Sequence, residues 1–247
     1  MKTKKKSLIV VAVLLALSVM LGGCSEKKVP DTIRWINASY AVLTSINGND
    51  YNLFGGMKPD TLNTKLQQTS LENWWGVTDR QTADETLEWI LTEGHRADYA
   101  DYMAYLDELG LSEIPLEEFA ETLPYLYELT EDEAAEIAKF YGWYQEIGAN
   151  AIDGWDYCRA LNLLSFYYVA GYYTREEALD KSLEIALEVQ PLFDSWDELI
   201  DSYLRGYEYW NGDNTDSTER RQVYESLLSA KDNPYSVDYH TTLQKEW

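Results

Sequence analysis

Histidine is almost missing from this chain, which has two in 247 residues, His95 and His240. That count excludes a zinc site built on several imidazoles, and no His-Glu-x-x-His pair is present. Any Ser-His-Asp or Cys-His arrangement would have to use one of those two rings. The Gly-x-Ser-x-Gly turn that presents a hydrolase serine does not occur, nor does a Gly-x-x-x-x-Gly-Lys-[Ser/Thr] phosphate loop. The segment Asn211-Gly212-Asp213-Asn214-Thr215-Asp216 is calcium-like at first sight. It lacks the glycine at position six and the acid at position twelve in either register, so it is no EF-hand. No metal and no cofactor is expected. Positive charge is short as well: 20 Lys and Arg face 43 Asp and Glu, a net charge of −23. Nucleic acid is therefore not a partner, because phosphates are repelled by such a chain. Cysteine is limited to Cys24 and Cys158.

What is present begins with an address. Lys2, Lys4, Lys5 and Lys6 precede an uncharged, mostly apolar run over residues 7–23, then Cys24. A basic start, a short apolar stretch and small residues before a cut describe a secretory signal. The run falls short of the roughly 20 residues that a spanning helix needs. Leu21-Gly22-Gly23-Cys24 resembles the bacterial lipobox. That resemblance implies cleavage before Cys24 and lipid on its sulfur, with the membrane as the partner of that lipid. The chain is then expected outside the cytoplasm, anchored to the bacterial cell membrane by acyl chains worth roughly 0.8 kcal/mol per buried CH₂. Loss of residues 1–23 removes four lysines and no acid, leaving 16 basic residues against 43 acids, a net charge of −27. Residues 24–30 form a short linker, roughly 20 Å when extended. With Cys24 lipidated, Cys158 has no partner for an internal disulfide, so stability must come from the core of residues 31–247.

That part reads as a single all-α domain. Apolar residues recur three and four apart, and no linker rich in Gly, Ser or Pro divides the chain after Pro30. Ten helices are expected, near 31–47, 60–75, 79–93, 97–109, 116–128, 131–147, 151–170, 175–190, 196–210 and 217–230. Thr78 with Gln81, Thr130 with Glu133, Thr174 with Glu177 and Ser195 with Glu198 have the spacing of a reciprocal capping box. Gly48, Gly94, Gly110, Gly148 and Gly171 stand where a helix end wants a left-handed residue. Pro115, Pro124 and Pro191 mark starts, stops or kinks.

Several tryptophan- and arginine-bearing stretches recur through this region. They are Asn73-Trp74-Trp75-Gly76-Val77 with Arg80, Glu93-Gly94-His95-Arg96, and Trp155-Asp156 with Arg159. Gly171-Tyr172 before Glu177-Ala178, and Ser195-Trp196 with Tyr203, Gly206 and Trp210, complete the set. In this order they resemble a bacterial family known only as domain of unknown function 1266, over roughly residues 31–210. The resemblance implies a helical domain and supplies no chemistry. The chain departs from the pattern at Asn233-Pro234-Tyr235-Ser236, where a Ser-Pro-Trp-like stretch is expected.

On a helix, Trp155, Arg159, Asn162 or Leu163, and Phe166 share one face. Asp156 and Arg159, three apart, can pair. Two readings of that pair follow. In one it is a brace beside a buried Trp155, with Cys158 as a small core residue. In the other, His95, Arg96, Asp156 and Arg159 line the cleft of an envelope hydrolase. A two-carboxylate hydrolase also stays open with 43 acids, because the separation that defines it is spatial. The leading expectation is a binding or protein-interaction module, with Trp75, Arg80, Tyr172 and Trp196 as candidate binding residues. Two surface signals support it. Thirteen acids and no basic residue lie between Asp98 and Glu136, a solvated face or a docking face for a basic protein. Aromatics are abundant, 20 Tyr and nine Trp. Trp196, Tyr203 and Trp210 read as a core stripe, and Tyr167-Tyr168 and Tyr172-Tyr173 as stacking platforms.

Overall fold

All ten expected helices are present in the computed structural model, which describes residues 29–212 and 214–247. The signal, Cys24 and Asp213 of the calcium-like loop lie outside the described residues. The elements in chain order are α1 (Asp31–Ser39), α2 (Ala41–Ile46), α3 (Thr61–Trp75), α4 (Arg80–Thr92), α5 (Gly94–Glu108) and α6 (Leu116–Tyr127). They continue with α7 (Glu131–Ile147), α8 (Asp153–Ala170), α9 (Arg175–Val189), α10 (Trp196–Asn211) and α11 (Asn214–Leu228). Among the described residues there is no strand, and no helix is long and apolar enough to cross a membrane.

The helix expected over 31–47 is two helices, broken at Tyr40 with φ −119°. Ser39 Oγ donates to the carbonyl of Ile36 and Thr44 Oγ1 to that of Tyr40, back-bonding that bends a helix. Thr130 and Thr174 make the capping boxes that their spacing predicts. The box expected at Thr78 and Gln81 instead sits one residue on. Asp79 accepts from the Thr82 amide while Thr82 Oγ1 returns to the Asp79 amide, a carboxylate being the stronger acceptor. Ser195 caps α10, and the Glu198 side chain reaches past it to the amide of Asp194. Pro124 lies inside α6, while Pro115 precedes that helix and Pro191 falls in a 3-10 turn.

One helix organises the rest. Of the residues of α8, only Tyr157 and Tyr168 escape full burial, as befits a helix enclosed on all sides. Around it pack α10, α9, α3, α4, α5 and α1. The crossing with α10 depends on two glycines. A Cβ on Gly154 would lie 2.6 Å from the Leu199 carbonyl oxygen, and one on Gly206 would strike the side chain of Trp155. Ser202 locks this contact, accepting from the Gly154 amide at 2.9 Å and donating to the Ala151 carbonyl at 3.0 Å.

A second core, shared by α5, α6 and α7, encloses Tyr99, Met103, Phe119, Leu123 and Tyr141. Phe119 and Tyr141 stack there at 4.9 Å. The C-terminal segment closes the main core. Trp35 Nε1 donates to the Tyr239 carbonyl and Trp196 Nε1 to that of Val237, both at 2.9 Å. Thr32 Oγ1 accepts from the Gln244 amide at 3.1 Å.

Candidate functional site

Helices α3, α4, α5, α10 and α11, with α2 and the loop after it, leave a cavity of about 970 Å³ above α8. Its floor is the stripe Trp155, Arg159, Asn162 and Phe166, four residues that helical spacing places on one face. One wall is α3, through Leu66, Gln67, Ser70, Leu71, Trp74 and Trp75; α4 adds Glu85, Thr86 and Trp89. His95 enters from the first turn of α5, Trp210 from the end of α10 and Arg220 from α11. Five of the chain's nine tryptophans therefore line one space. Two of them stand at its mouth, with Trp74 82% and Trp210 53% exposed, unusual for so large an apolar ring.

Below this cavity His95, Asp156 and Arg159 meet. Asp156 is completely buried. Its Oδ2 accepts from the Arg96 amide at 2.8 Å, capping α5 from another helix, and its Oδ1 pairs with Arg159 Nη2. Burial raises the Asp156 carboxyl, but the facing His95 ring, the Arg159 guanidinium and the Arg96 amide outweigh it and hold it below its ordinary value. Arg159 Nη2 also lies 2.9 Å from His95 Nδ1. The His95 Nδ1 to Asp156 Oδ1 separation is 3.6 Å. Arg159 is held over the rings of Trp155 at 4.3 Å and Trp75 at 5.4 Å.

Of the four residues proposed for a hydrolase cleft, His95 and Arg159 face the cavity. The side chain of Arg96 turns the other way. It donates to the carbonyls of Ile90 and Leu91 at the end of α4 and lies over Tyr157 at 4.5 Å. No hydroxyl or thiol among the described residues hydrogen-bonds the His95 ring. Cys158 is buried in the main core, where loss of solvent pushes its thiol up.

The candidate binding residues also divide. Trp75 lines the cavity. Arg80 ties α4 to α9, bonding Asp84 at 2.9 Å and Glu177 at 3.0 Å while covering the Tyr173 ring. Trp196 is core, set against Trp35, Tyr235 and Tyr239. Tyr172 packs half-buried against the same core. Of the tyrosine pairs, Tyr167 and Tyr173 are buried, while Tyr168 and Tyr172 are half-buried. The stripe read as core divides too: Trp196 and Tyr203 are buried and Trp210 is not. Asp98, Asp101, Glu108, Glu118, Glu121, Glu131 and Asp132 of the acidic stretch are exposed on the helices of the second core.

Gln67, Asn162, Trp89 and Arg220 were not singled out from sequence as binding residues, and all line the cavity. Four buried side-chain nitrogens have no hydrogen-bond partner among the described residues: Gln67 Nε2, Trp155 Nε1, Asn162 Nδ2 and Arg220 Nε. All four belong to residues of the cavity wall. A buried donor left unpaired costs roughly 1–3 kcal/mol; these four atoms are enclosed, as are the unpartnered hydroxyls of Ser45, Tyr167, Tyr235 and Tyr239 elsewhere. No group of three or more His, Cys, Asp or Glu able to hold a metal occurs among the described residues.

The fold and this site define a helical domain with a tryptophan-walled, donor-lined pocket. Residues 70–239 match the model of the family described as Protein of unknown function (DUF1266), and the chain belongs to that family. The match begins at residue 70 rather than near 31, runs past the expected limit near residue 210 and takes in Pro234–Ser236, a 3-10 turn whose Tyr235 packs on Tyr224 and Trp196. No curated protein and no solved structure matches the chain.

Proposed function

We propose that this protein is a lipid-anchored binding module of the bacterial cell envelope, and that its ligand occupies the cavity above α8. The convergence of five tryptophans on one cavity, two of them more than half exposed, with His95, Arg159 and Arg220 among them carries the reading, because apolar rings with a few polar groups are what a ligand pocket presents. The tryptophans at the mouth supply contact area at small entropic cost. Anchoring rests on the lipobox-like Leu21-Gly22-Gly23-Cys24, and an extracytoplasmic location follows from the same stretch.

A hydrolase is the second reading, favoured by His95 and Arg159 both facing the cavity. Asp156 beneath them has no access to a substrate and serves to hold Arg159 and the start of α5.

Two measurements test the proposal. Labelling with a fatty-acid analogue should mark the wild-type chain and not Cys24→Ala, which should leave the membrane fraction. Native mass spectrometry of protein purified from its own envelopes should show a small-molecule adduct, reduced in Trp75→Ala. An unliganded mass together with no thermal shift in any envelope extract would sink the binding reading. Turnover of an extract component by wild type and not by His95→Asn would favour the hydrolase.

A further inference from the structure

Inside a strongly acidic chain, one arginine of the cavity wall stands without a counter-charge among the described residues. Arg159 is neutralised by Asp156, and the wall's one carboxylate, Glu85, is exposed and accepts from Gln81 at 2.8 Å. Arg220 is different. Its Nη1 donates to Tyr203 Oη at 3.1 Å and its guanidinium lies 3.9 Å from the Tyr207 ring centre. No carboxylate among the described residues pairs with it, and its buried Nε–H has no acceptor. Acids outnumber basic residues 43 to 20 in this sequence, so an unpaired arginine does not reflect any shortage of carboxylates.

The neighbours of Arg220 narrow the ligand. Tyr207 packs on Trp155 and Trp210, and the exposed indole of Trp210 offers a face beside the guanidinium to a flat ring. Asn47 and Asn49 offer amides that both donate and accept, and Ser70 and Thr86 add hydroxyls to the wall. An aromatic acid would leave most of these groups unused, whereas a polyhydroxylated ring uses both kinds. A polyanion is disfavoured, because the acidic surface repels it at long range. A single carboxylate seated against Arg220 is within about one Debye length, roughly 8 Å, of the group that attracts it.

Resting on the reading of this cavity as a binding site, we propose that it takes an acidic sugar. The ligand's single carboxylate meets Arg220, its ring lies on the tryptophans, and its hydroxyls meet the amides. The space of about 970 Å³ admits more than one sugar unit. Cell-wall glycans bearing a lactyl ether and polysaccharides bearing uronates both provide this chemistry.

The test titrates the intact protein with two matched pairs, followed by tryptophan fluorescence and ligand-observed NMR. The pairs are N-acetylmuramate with N-acetylglucosamine, and glucuronate with glucose. The acid of at least one pair should bind ten-fold or more tightly than its neutral partner, and the pair that responds identifies the source. Equal binding within both pairs, or no binding by either acid, overturns the proposal, as does binding of indole-3-acetate alone. An adduct of some other class found on protein from native envelopes would then overturn only the ligand class, whereas the lack of any adduct would remove the binding site as well. Arg220→Gln should erase the preference for the acid, and an intact preference in that variant overturns the role of Arg220. Should it fail to fold, competition on wild type by the methyl ester of the responding acid replaces it, and equal competition by the ester counts against the proposal.

Discussion

The carboxylate of Asp156 occupies the space that a side chain at position 94 would need. A Cβ on Gly94 would reach within 2.8 Å of Asp156 Cγ and closer still to Oδ2, and Gly94 has φ +60°. Its left-handed turn ends α4 and starts α5 in a single residue, which exposes the Arg96 amide to that carboxylate. One glycine thus sets both the bend between two helices and the anchor of Arg159.

This pairing makes a double-mutant cycle informative. Asp156→Ala leaves Arg159 buried without its counter-charge and should cost about 3–5 kcal/mol in urea unfolding. Gly94→Ala adds left-handed strain of roughly 1–2 kcal/mol to a steric clash, for a total of about 3 kcal/mol. With Asp156 already removed the clash is gone, so the second change should cost at least about 1 kcal/mol less than it does alone. Strict additivity would show that the two residues do not compete for the same space.

Asp153, at the start of α8, has its carboxyl pushed up from 3.8 to about 6 by burial, with Arg96 opposing and Asp156 reinforcing the shift. The folded state therefore holds this proton more tightly than the unfolded chain. The preference favours folding fully below about pH 4 and is lost as pH rises through 6. A shift of about two units corresponds to roughly 3 kcal/mol at most. Asp153→Asn should raise stability at pH 8 by about 2–3 kcal/mol and change little at pH 4, as measured by urea midpoints at the two values. Asp156 has the opposite sign: its lowered carboxyl stabilises the fold above the ordinary carboxylate value and loses that effect as pH falls through its folded one.

Function and stability should separate in the cavity. Asn162→Leu replaces an unpartnered buried amide with an apolar group of similar size, which should stabilise the protein by about 1 kcal/mol. Trp74→Ala should leave stability within about 0.5 kcal/mol, since the ring is exposed, and weaken binding. Loss of stability in Asn162→Leu would mean that the amide has a structural partner after all.

Cys158 should resist thiol reagents in the native state and react only as fast as the domain unfolds, since it is enclosed and its thiol is pushed up. Rapid labelling of the folded protein by a disulfide reagent would contradict its place in the core.

Much of the fold was legible because local chemistry states it. The threonine boxes at Thr130 and Thr174 and the glycines at helix ends are short-range signals that the packing leaves in place. The break at Tyr40 was not legible, since back-bonding by Ser39 and Thr44 competes with a continuous apolar pattern. The floor of the cavity was half-visible: the stripe from Trp155 to Phe166 is a fact of helical spacing, but whether it meets another helix or open space is decided by α3 and α4. Gln67 and Arg220 gave no signal, because nothing near them in sequence shows that they will be buried without a partner. Arg96 misled, its position beside His95 concealing that its side chain points back to carbonyls of the preceding helix.

The bonds from Trp35 to Tyr239 and from Thr32 to Gln244 span more than 200 residues. They have a consequence in time as well as in space. During synthesis α1 emerges early and must wait for the segment that seats its indole, so the main core cannot be completed until residues near 240 have left the ribosome. Contacts this distant slow folding, and the chain stays open for most of its own translation.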